Sequence, residues 1–413
     1  MRACISRLAT DPVLQRLWWL LVAVDVPLLI LGGGCAGLSL ATRLAAVETS
    51  IPRTLVLESR STYRNDRTWC FWADPSLGVD HLITHEWRQL TVRGAGIEAN
   101  VDCGVMPYQM LRGDRFYADC RARMAQNSFI ELVTNAAVLG EPRREGNRWH
   151  VSTRAGVFRA ARLIDTRPQN VPKVGHAVLW QSFSGEEVTC EKRVFDPTRA
   201  VLMDFDDVSG NGVQFRYVLP TSSNTALIES TVFGCEPLSA VDLAPALGAA
   251  VRDQLGSAAY QVLRREHGVL PMGLMRRAEG VHSSFVYAGV VGGAARASTG
   301  YAFQRIQRWA ARCANSIAIG GPIVGHPPEP VWRSVMDRIF LQVLRAHPER
   351  APQLFAQLFS RACSTRVTRF LSDRGSLADQ AAVIVALPTG LFLSCLPRLV
   401  SEGFARRRAG LPA

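Results

Sequence analysis

"LLILGGGCAGLSLATRLAA", Leu28 to Ala46, is the stretch on which the fold turns. Val26 to Leu31 is a short apolar run, the pattern of a parallel strand buried on both faces. Gly32, Gly34 and Gly37 follow in a G-x-G-x-x-G spacing, and the residues after them have helical periodicity. In such a unit Gly32 permits the tight turn, Gly34 lets backbone approach a pyrophosphate, and Gly37 lets the helix pack closely on the strand. The helix N-terminus offers free N–H groups and partial positive charge to the phosphates. A second apolar strand, "TLVLES", ends at Glu58, 21 residues beyond Gly37. An acid at that distance accepts hydrogen bonds from ribose hydroxyls.

The dinucleotide is FAD or a nicotinamide, and the rest of the chain separates the two. "ARLIDTRP" (Ala161–Pro168) reads as a later strand returning to the same sheet. "SFVYAGVVGGAARASTGYAFQRIQRWAARC" (Ser284–Cys313) supplies a strand, a glycine-rich turn and an amphipathic helix. An extended FAD bridges two such glycine sites, whereas a simple nicotinamide dehydrogenase needs only one.

The length of 413 residues suits two or three interleaved domains. The expected class is α/β: an FAD-binding, doubly wound, glutathione-reductase-like domain interleaved with a β-sheet substrate domain, plus C-terminal helices. The expected pieces are an N-terminal extension (1–25), cofactor-binding segments (26–68, 106–174 and 276–320), sheet segments (69–105 and 175–275), and a C-terminal helical region (321–413). The N-terminal "LWWLLVAV" mimics a signal peptide, but the apolar run continues into the glycine turn, so cleavage would remove a strand the fold needs. Asn211-Gly212 is a hairpin signal within the second sheet segment.

Net charge is +12 with a pI near 9.6, and mean hydropathy is +0.06. No zinc finger, helix-turn-helix or aromatic-interleaved basic stripe points to nucleic acid. An anionic membrane surface fits the charge better. Ten cysteines without a C-x-x-C pair read as reduced, buried thiols and imply a cytoplasmic location. Residues 381–397, "AAVIVALPTGLFLSCLP", carry no charge, are short for a span, and are broken by Pro388 and Gly390. With Arg398 and Arg406–Arg408 behind them, they read as an interfacial segment or as a buried helix pair.

The chemistry-bearing residues are few. Glu229 lies inside the β-prone run "ALIESTVF". It is either a solvated residue of an edge strand or a general acid whose pKa an apolar pocket raises. Asp204 is a weaker candidate, as are Asp206 and Asp207, since an acidic cluster beside Gly210 reads as a solvated turn. His81 and His85 have i,i+4 spacing, but no third ligand follows, so no metal site is expected. His267, ahead of Gly268 and Pro271, reads as a turn histidine. "TWCFW" (Thr68–Trp72) is an aromatic cluster suited to a core, to a cation or to a polyene.

These segments, taken in order, resemble the flavoprotein lycopene cyclases of carotenoid biosynthesis. The resemblance runs from Val26 to the tail. It rests on GGGCAG, "TWCFW", "LIDTRP", "QSFSG" (Gln181–Gly185), "MDF…FRYVLP", "LIEST", "EHGVLPM" and "GGAARASTGYAF". It implies bound FAD, active when reduced, with NAD(P)H as electron source. It also implies an acyclic carotenoid substrate and a peripheral position at the cytoplasmic side of a membrane. The implied reaction is the net non-redox closure of the acyclic ψ end groups of lycopene to β-ionone rings, giving γ-carotene and β-carotene. Cofactor contacts are implied for Arg115, Asp165, Gly292, Gly293, Thr299 and Gly300 besides the first glycine turn and Glu58. Substrate-cavity positions are implied for Trp69, Phe71, Phe183 and Tyr301. Glu229 matches the first acid of the family's Phe-Leu-Glu-Glu-Thr-like segment, and Ser230 stands where the second acid is common. Arg296-Ala297 replaces a frequent His-Pro, so no histidine there can serve as base. The rival readings are an FAD monooxygenase or prenyl reductase on the same fold, and a carotenoid carrier.

Overall fold

The computed structural model describes residues 23–48, 51–168, 175–205, 212–273, 275–276 and 282–395. Nearly all of the expected N-terminal extension lies outside them. So do Asp206, Asp207, Asn211, Arg398 and Arg406–Arg408.

In chain order, β1 (Val24–Leu31) turns into α1 (Cys35–Ala45), followed by β2 (Thr54–Leu57) and β3 (Thr68–Trp72). Then come β4 (Ile83–Trp87), β5 (Gln89–Gly94), β6 (Ile97–Asp102), β7 (Tyr108–Arg112) and α2 (Gly113–Met124). β8 (Ile130–Val133), β9 (Arg143–Glu145), β10 (Arg148–Thr153) and β11 (Gly156–Asp165) lead to β12 (Gly175–His176). The long strands are β13 (Leu179–Cys190), β14 (Arg199–Asp204), β15 (Val213–Pro220) and β16 (Thr225–Gly234). After α3 (Ala240–Leu255) follow β17 (Tyr260–Met272), β18 (Met275–Arg276), β19 (Phe285–Tyr287) and α4 (Phe303–Ala318). The C-terminal helices are α5 (Val331–Ala346), α6 (Ala351–Arg361), α7 (Ser364–Leu371) and α8 (Leu377–Ala386).

The first sheet has the order β8-β2-β1-β11-β10-β9, with β19 beside the C-terminal end of β11. β1 is parallel to both β2 and β11, and Leu28 to Leu31 are fully buried. β1 begins two residues before the expected Val26. Asp25 is accommodated because it sits at the open start of the strand, paired with Arg148 at 3.3 Å. Helices α1 and α4 pack together on this sheet, and Gln307 Nε2 donates to Ser39 Oγ at 2.7 Å between them. The two glycine-led helices are therefore neighbours, although some 250 residues separate them in the chain.

The second sheet has the order β17-β13-β16-β15-β14-β5-β6. A small third sheet, β3-β7-β4, closes one side of it. β7 thus joins the small sheet, although it falls in segment 106–174, expected to belong to the cofactor domain. One face of the large sheet packs on α3 through Val188, Val218, Ile228, Leu247 and Val251. The other face turns toward the C-terminal helices, where Phe205 stacks on Phe355 of α6.

His267 lies within β17 and not in a turn. Two neighbours that signal turns serve other purposes here. A Cβ on Gly268 would lie 2.4 Å from the Phe183 ring, so the glycine makes room for an aromatic. Pro271 is tolerated because β17 is an edge strand.

An ion network ties the C-terminal helices to the cofactor sheet's partner helix. Arg296 is 1% exposed and pairs with Asp337 of α5 at 3.4 Å and with Asp373 at 3.5 Å. Arg305 of α4 pairs with Asp373 and, at 2.6 Å, with Glu329. Removing one member of a buried pair leaves the other charge uncompensated, at a cost of about 3–5 kcal/mol. Arg296→Met is accordingly expected to lower the unfolding free energy by about 3 kcal/mol, read in a urea titration. A value within a few tenths of wild type would show that the network does not secure the helices.

Candidate active site

The first glycine turn has the shape a dinucleotide requires. Gly32 has φ +94°, and a Cβ on Gly37 would lie 1.9 Å from the Gly32 carbonyl oxygen. Around Gly34 nothing lies within 4 Å of such a Cβ, so backbone there is open to a ligand. α1 starts without a side-chain cap or an acidic residue in its first turn, which leaves its leading N–H groups for an anion. Glu58 is buried at the end of β2, and its Oε2 accepts from Gly33 N–H at 2.8 Å. Arg60 anchors it from the other side at 3.1 Å.

Asp165 ends β11 beside this turn and is held by Arg167 at 2.7 Å. Arg115 lies exposed on the first turn of α2 and is not among the residues lining the cavity described next. In the second glycine segment, Gly293 has φ +94° and open space around it, while a Cβ on Gly292 would strike Ala288 backbone at 2.3 Å. α4 likewise begins with neither a cap nor an acid. Gln181 Oε1 is buried without a hydrogen-bond partner among the described residues, and a Cβ on Gly300 would lie 2.5 Å from it. Two open glycine cradles, two uncapped helix starts and an orphaned acceptor fit an extended dinucleotide.

A cavity of about 680 Å³ extends from Cys35, the first residue of α1, to the C-terminal helices. Its volume is that of an ordinary ligand site. The large sheet forms one wall by simple alternation. Gln181, Phe183, Phe215, Tyr217, Glu229 and Thr231 all face inward, as do Glu266 and Leu270 from β17. Trp69 and Phe71 line the opposite wall, with Phe71 stacked on Phe303 at 4.8 Å between ring centroids. Thr299, Gly300 and Tyr301 complete it near α4. Tyr301 meets Trp72 edge-on, and Tyr108 and Tyr217 share a hydrogen bond at 2.7 Å.

Glu229 is not in an edge strand. β16 lies between β13 and β15, and the residue is 8% exposed. Burial above all, then the charge of Glu266 and a hydrogen bond with it, raise the Glu229 carboxyl well above the ordinary value. Arg264 opposes the shift without reversing it. Glu229 therefore retains its proton in the range where free carboxyls have lost theirs.

The other acids fall elsewhere. Asp204 pairs with Arg216 at 3.2 Å and does not line the cavity. Ser230 points to the α3 side, where Gln214 Nε2 donates to its hydroxyl at 3.4 Å. His81 and His85 have separate partners, Asp119 at 3.2 Å and the Pro197 carbonyl at 3.0 Å. No group of three or more potential metal ligands occurs among the described residues. Glu266 is a cavity carboxylate on the same sheet wall as Glu229 that the sequence did not single out. Thr68 Oγ1 donates to it at 2.8 Å, and Arg264 forms an ion pair with it. Its signal was present in "EHGVLPM", but only the register of β17 on β13 brings it beside Glu229.

This two-ended fold, a glycine-led α/β half joined to a sheet that walls an apolar cavity, is shared with solved flavoproteins. The solved structures similar to the chain include a geranylgeranyl bacteriochlorophyll reductase-like protein from Thermoplasma acidophilum. It has a TM-score of 0.60 and 11% identity, with 91% of this chain and 100% of that chain covered. A flavoprotein/dehydrogenase from Cytophaga hutchinsonii aligns with a TM-score of 0.54 at 13% identity, covering 92% and 99%. The lycopene cyclase protein family matches residues 27–395, and the chain belongs to that family. A lycopene beta-cyclase of Paracoccus sp. is 27% identical, with 89% of this chain and 96% of the relative covered. Another, of Pseudescherichia vulneris, is 24% identical over 87% and 94%.

Proposed function

We propose that the protein is a lycopene beta-cyclase that binds FAD and closes the ψ end groups of lycopene by acid catalysis from Glu229. The observation that carries this reading is a buried carboxyl, its pKa raised by that burial, in the wall of an apolar, aromatic-lined cavity that also reaches the dinucleotide cradle. A carboxylic acid of raised pKa can give its proton to the terminal alkene, leaving a tertiary carbocation. The next double bond attacks that centre, and the ring cation then loses a proton. The atoms balance without net electron transfer, so the reaction is an isomerisation. Reduced FAD, held at the Gly32–Gly37 and Gly292–Gly293 turns and given electrons by NAD(P)H, would supply an electron-rich surface that stabilises positive charge. The Trp69, Trp72 and Tyr301 rings offer further negative faces. The apolar walls exclude water that would otherwise capture the cation.

The substrate is insoluble in water and must enter from a bilayer. Among the described residues no single helix is long and apolar enough to cross a membrane. Leu377–Ala386 and Thr389–Cys395 together form an apolar pair bent by 94°. Ile384, Leu387, Phe392 and Leu393 of this pair line the cavity, while Val385 and Leu393 are 78% and 62% exposed. Apolar side chains at this end of the cavity thus face outward, as expected of a peripheral protein seated on a membrane, here at its cytoplasmic side. Val385→Asp combined with Leu393→Asp is expected to move the protein from the membrane to the soluble fraction and to slow cyclisation. Unchanged sedimentation with membranes would contradict this seating.

Gly34→Val fills the open cradle at the start of α1, and the purified protein is expected to lack the yellow flavin absorbance. Retention of stoichiometric flavin would overturn the assignment of the turn.

Expression in a lycopene-accumulating bacterium tests the function itself. Wild type is expected to form γ-carotene and β-carotene, with no NAD(P)H consumed per ring closed. Glu229→Gln, which keeps shape but lacks the acid, is expected to hold flavin and leave lycopene unchanged. Because burial raises the carboxyl pKa, the wild-type rate should persist above the pH range in which free carboxyls ionise and fall as pH rises through the raised pKa. Near wild-type β-carotene from Glu229→Gln would place the acid elsewhere. Saturated products formed with NAD(P)H consumption would favour a reductase.

A further inference from the structure

Glu229 and Glu266 come from strands that do not touch. β13 lies between them, and its Gly185 is in register with Glu229 on one side and with Glu266 on the other. Residues in register across neighbouring strands share a face, so both carboxyls rise on the cavity side. Their Cα atoms are two strand spacings apart, about 9.6 Å. Any side chain at position 185 would stand between them. A Cβ there would lie 2.7 Å from Glu229 Cγ and 3.1 Å from Glu229 Oε1. Glycine weakens a strand interior and persists where another group must approach closely. Here that group is the Glu229 side chain, which leans over Gly185 toward the strand that carries Glu266.

The surroundings of the pair are unequal. Glu266 is held by Arg264 and by Thr68, whose hydroxyl donates at 2.8 Å. Arg264 in turn pairs with Glu187, one row further along β13, and Glu187 pairs with Arg112 of β7 at 3.2 Å. On the other flank Glu229 is in register with Tyr217 of β15, and Cys70 of β3 lies near both acids. The cation paired with a member of the acid pair, Arg264, therefore stands on the Glu266 side.

Resting on the reading of Glu229 as the acid, we propose that Glu266 is its positioning partner: the two share one proton across Gly185, with Glu266 anionic against Arg264 and Glu229 carrying the transferable hydrogen. In the step, the Glu229 O–H bond breaks and a C–H bond forms at the terminal alkene. The second double bond supplies the electron pair of the new ring C–C bond. The adjacent ring C–H pair then becomes a double bond, and its proton returns to the carboxyl pair. Two carboxylates left side by side in an apolar cavity repel, which favours that return. No oxidant or reductant is consumed.

The test uses flavin-loaded enzyme on lycopene in lipid vesicles, with cyclisation measured across pH. Glu266→Gln removes the neighbouring charge and keeps the shape. It is expected to retain flavin and to move the falling limb toward acid by about one pH unit, a loss of about tenfold at alkaline pH. At acid pH the loss should largely disappear. Gly185→Ala is expected to retain flavin and lose activity, because the methyl group displaces the Glu229 side chain. Ser230→Ala, altered on the opposite face, should keep the wild-type profile. If Glu266→Gln gives the wild-type profile, or an equal loss at every pH, the proposal fails even while Glu229→Gln is inactive. If wild type closes no rings, the functional reading fails first. Should Gly185→Ala not accumulate, the isosteric Glu266→Gln decides alone.

Discussion

Alternate side chains of a strand point to opposite faces, and in β13, β15, β16 and β17 that parity decides what meets in the cavity. Phe183, Gly185, Tyr217, Glu229 and Thr231 fall on one face, with Glu266 from the edge strand. Ser182, Ile228, Ser230 and Arg216 fall on the other, against or near α3. A slip of one residue in β15 would turn Arg216 into an apolar cavity, and one in β16 would turn Glu229 toward α3. Register is therefore the constraint behind the acid site. It is held by long pairings on both sides of the largely buried β16.

Parity also gives physical meaning to a departure from the family pattern. Ser230 stands where relatives often carry a second acid, but adjacent residues in a strand cannot share a face. Whatever occupies position 230 belongs to the α3 side, where Gln214 contacts the serine. The carboxylate that shares the sheet wall of the cavity with Glu229 is Glu266, supplied by another strand. Arg296, in place of a histidine, is likewise no member of the cavity wall. It is buried between Asp337, Asp373 and the Phe370 ring, joining the second glycine segment to the C-terminal helices.

What could be read in the sequence follows the range of the interactions involved. The turn at Gly32, Gly34 and Gly37 was legible because its requirements are local: a positive φ, an open cradle and a close helix. The partnership of "LIDTRP" with β1, and the return of Ser284–Cys313 to the same sheet, followed from the usual order of such units. Glu229 was conspicuous because a carboxyl within an apolar strand requires a reason. Glu266 was not, since its role depends on how β17 is registered on β13, a relation between distant segments. His267 was misread for a similar reason. Gly268 and Pro271 signal a turn locally, but one accommodates a ring across the sheet and the other sits on an edge.

The proposed ring closure rests on a proton passing from a buried carboxyl to an alkene without net electron transfer. The most direct measurement is a single turnover by flavin-loaded enzyme equilibrated in deuterated water, with mass analysis of the carotenoid and an assay of pyridine nucleotide. The expected result is one deuterium in the ring that closes, no NAD(P)H oxidised per ring, and no ring product from Glu229→Gln under the same conditions. A ring formed without deuterium, or formed with stoichiometric oxidation of NAD(P)H, would contradict it.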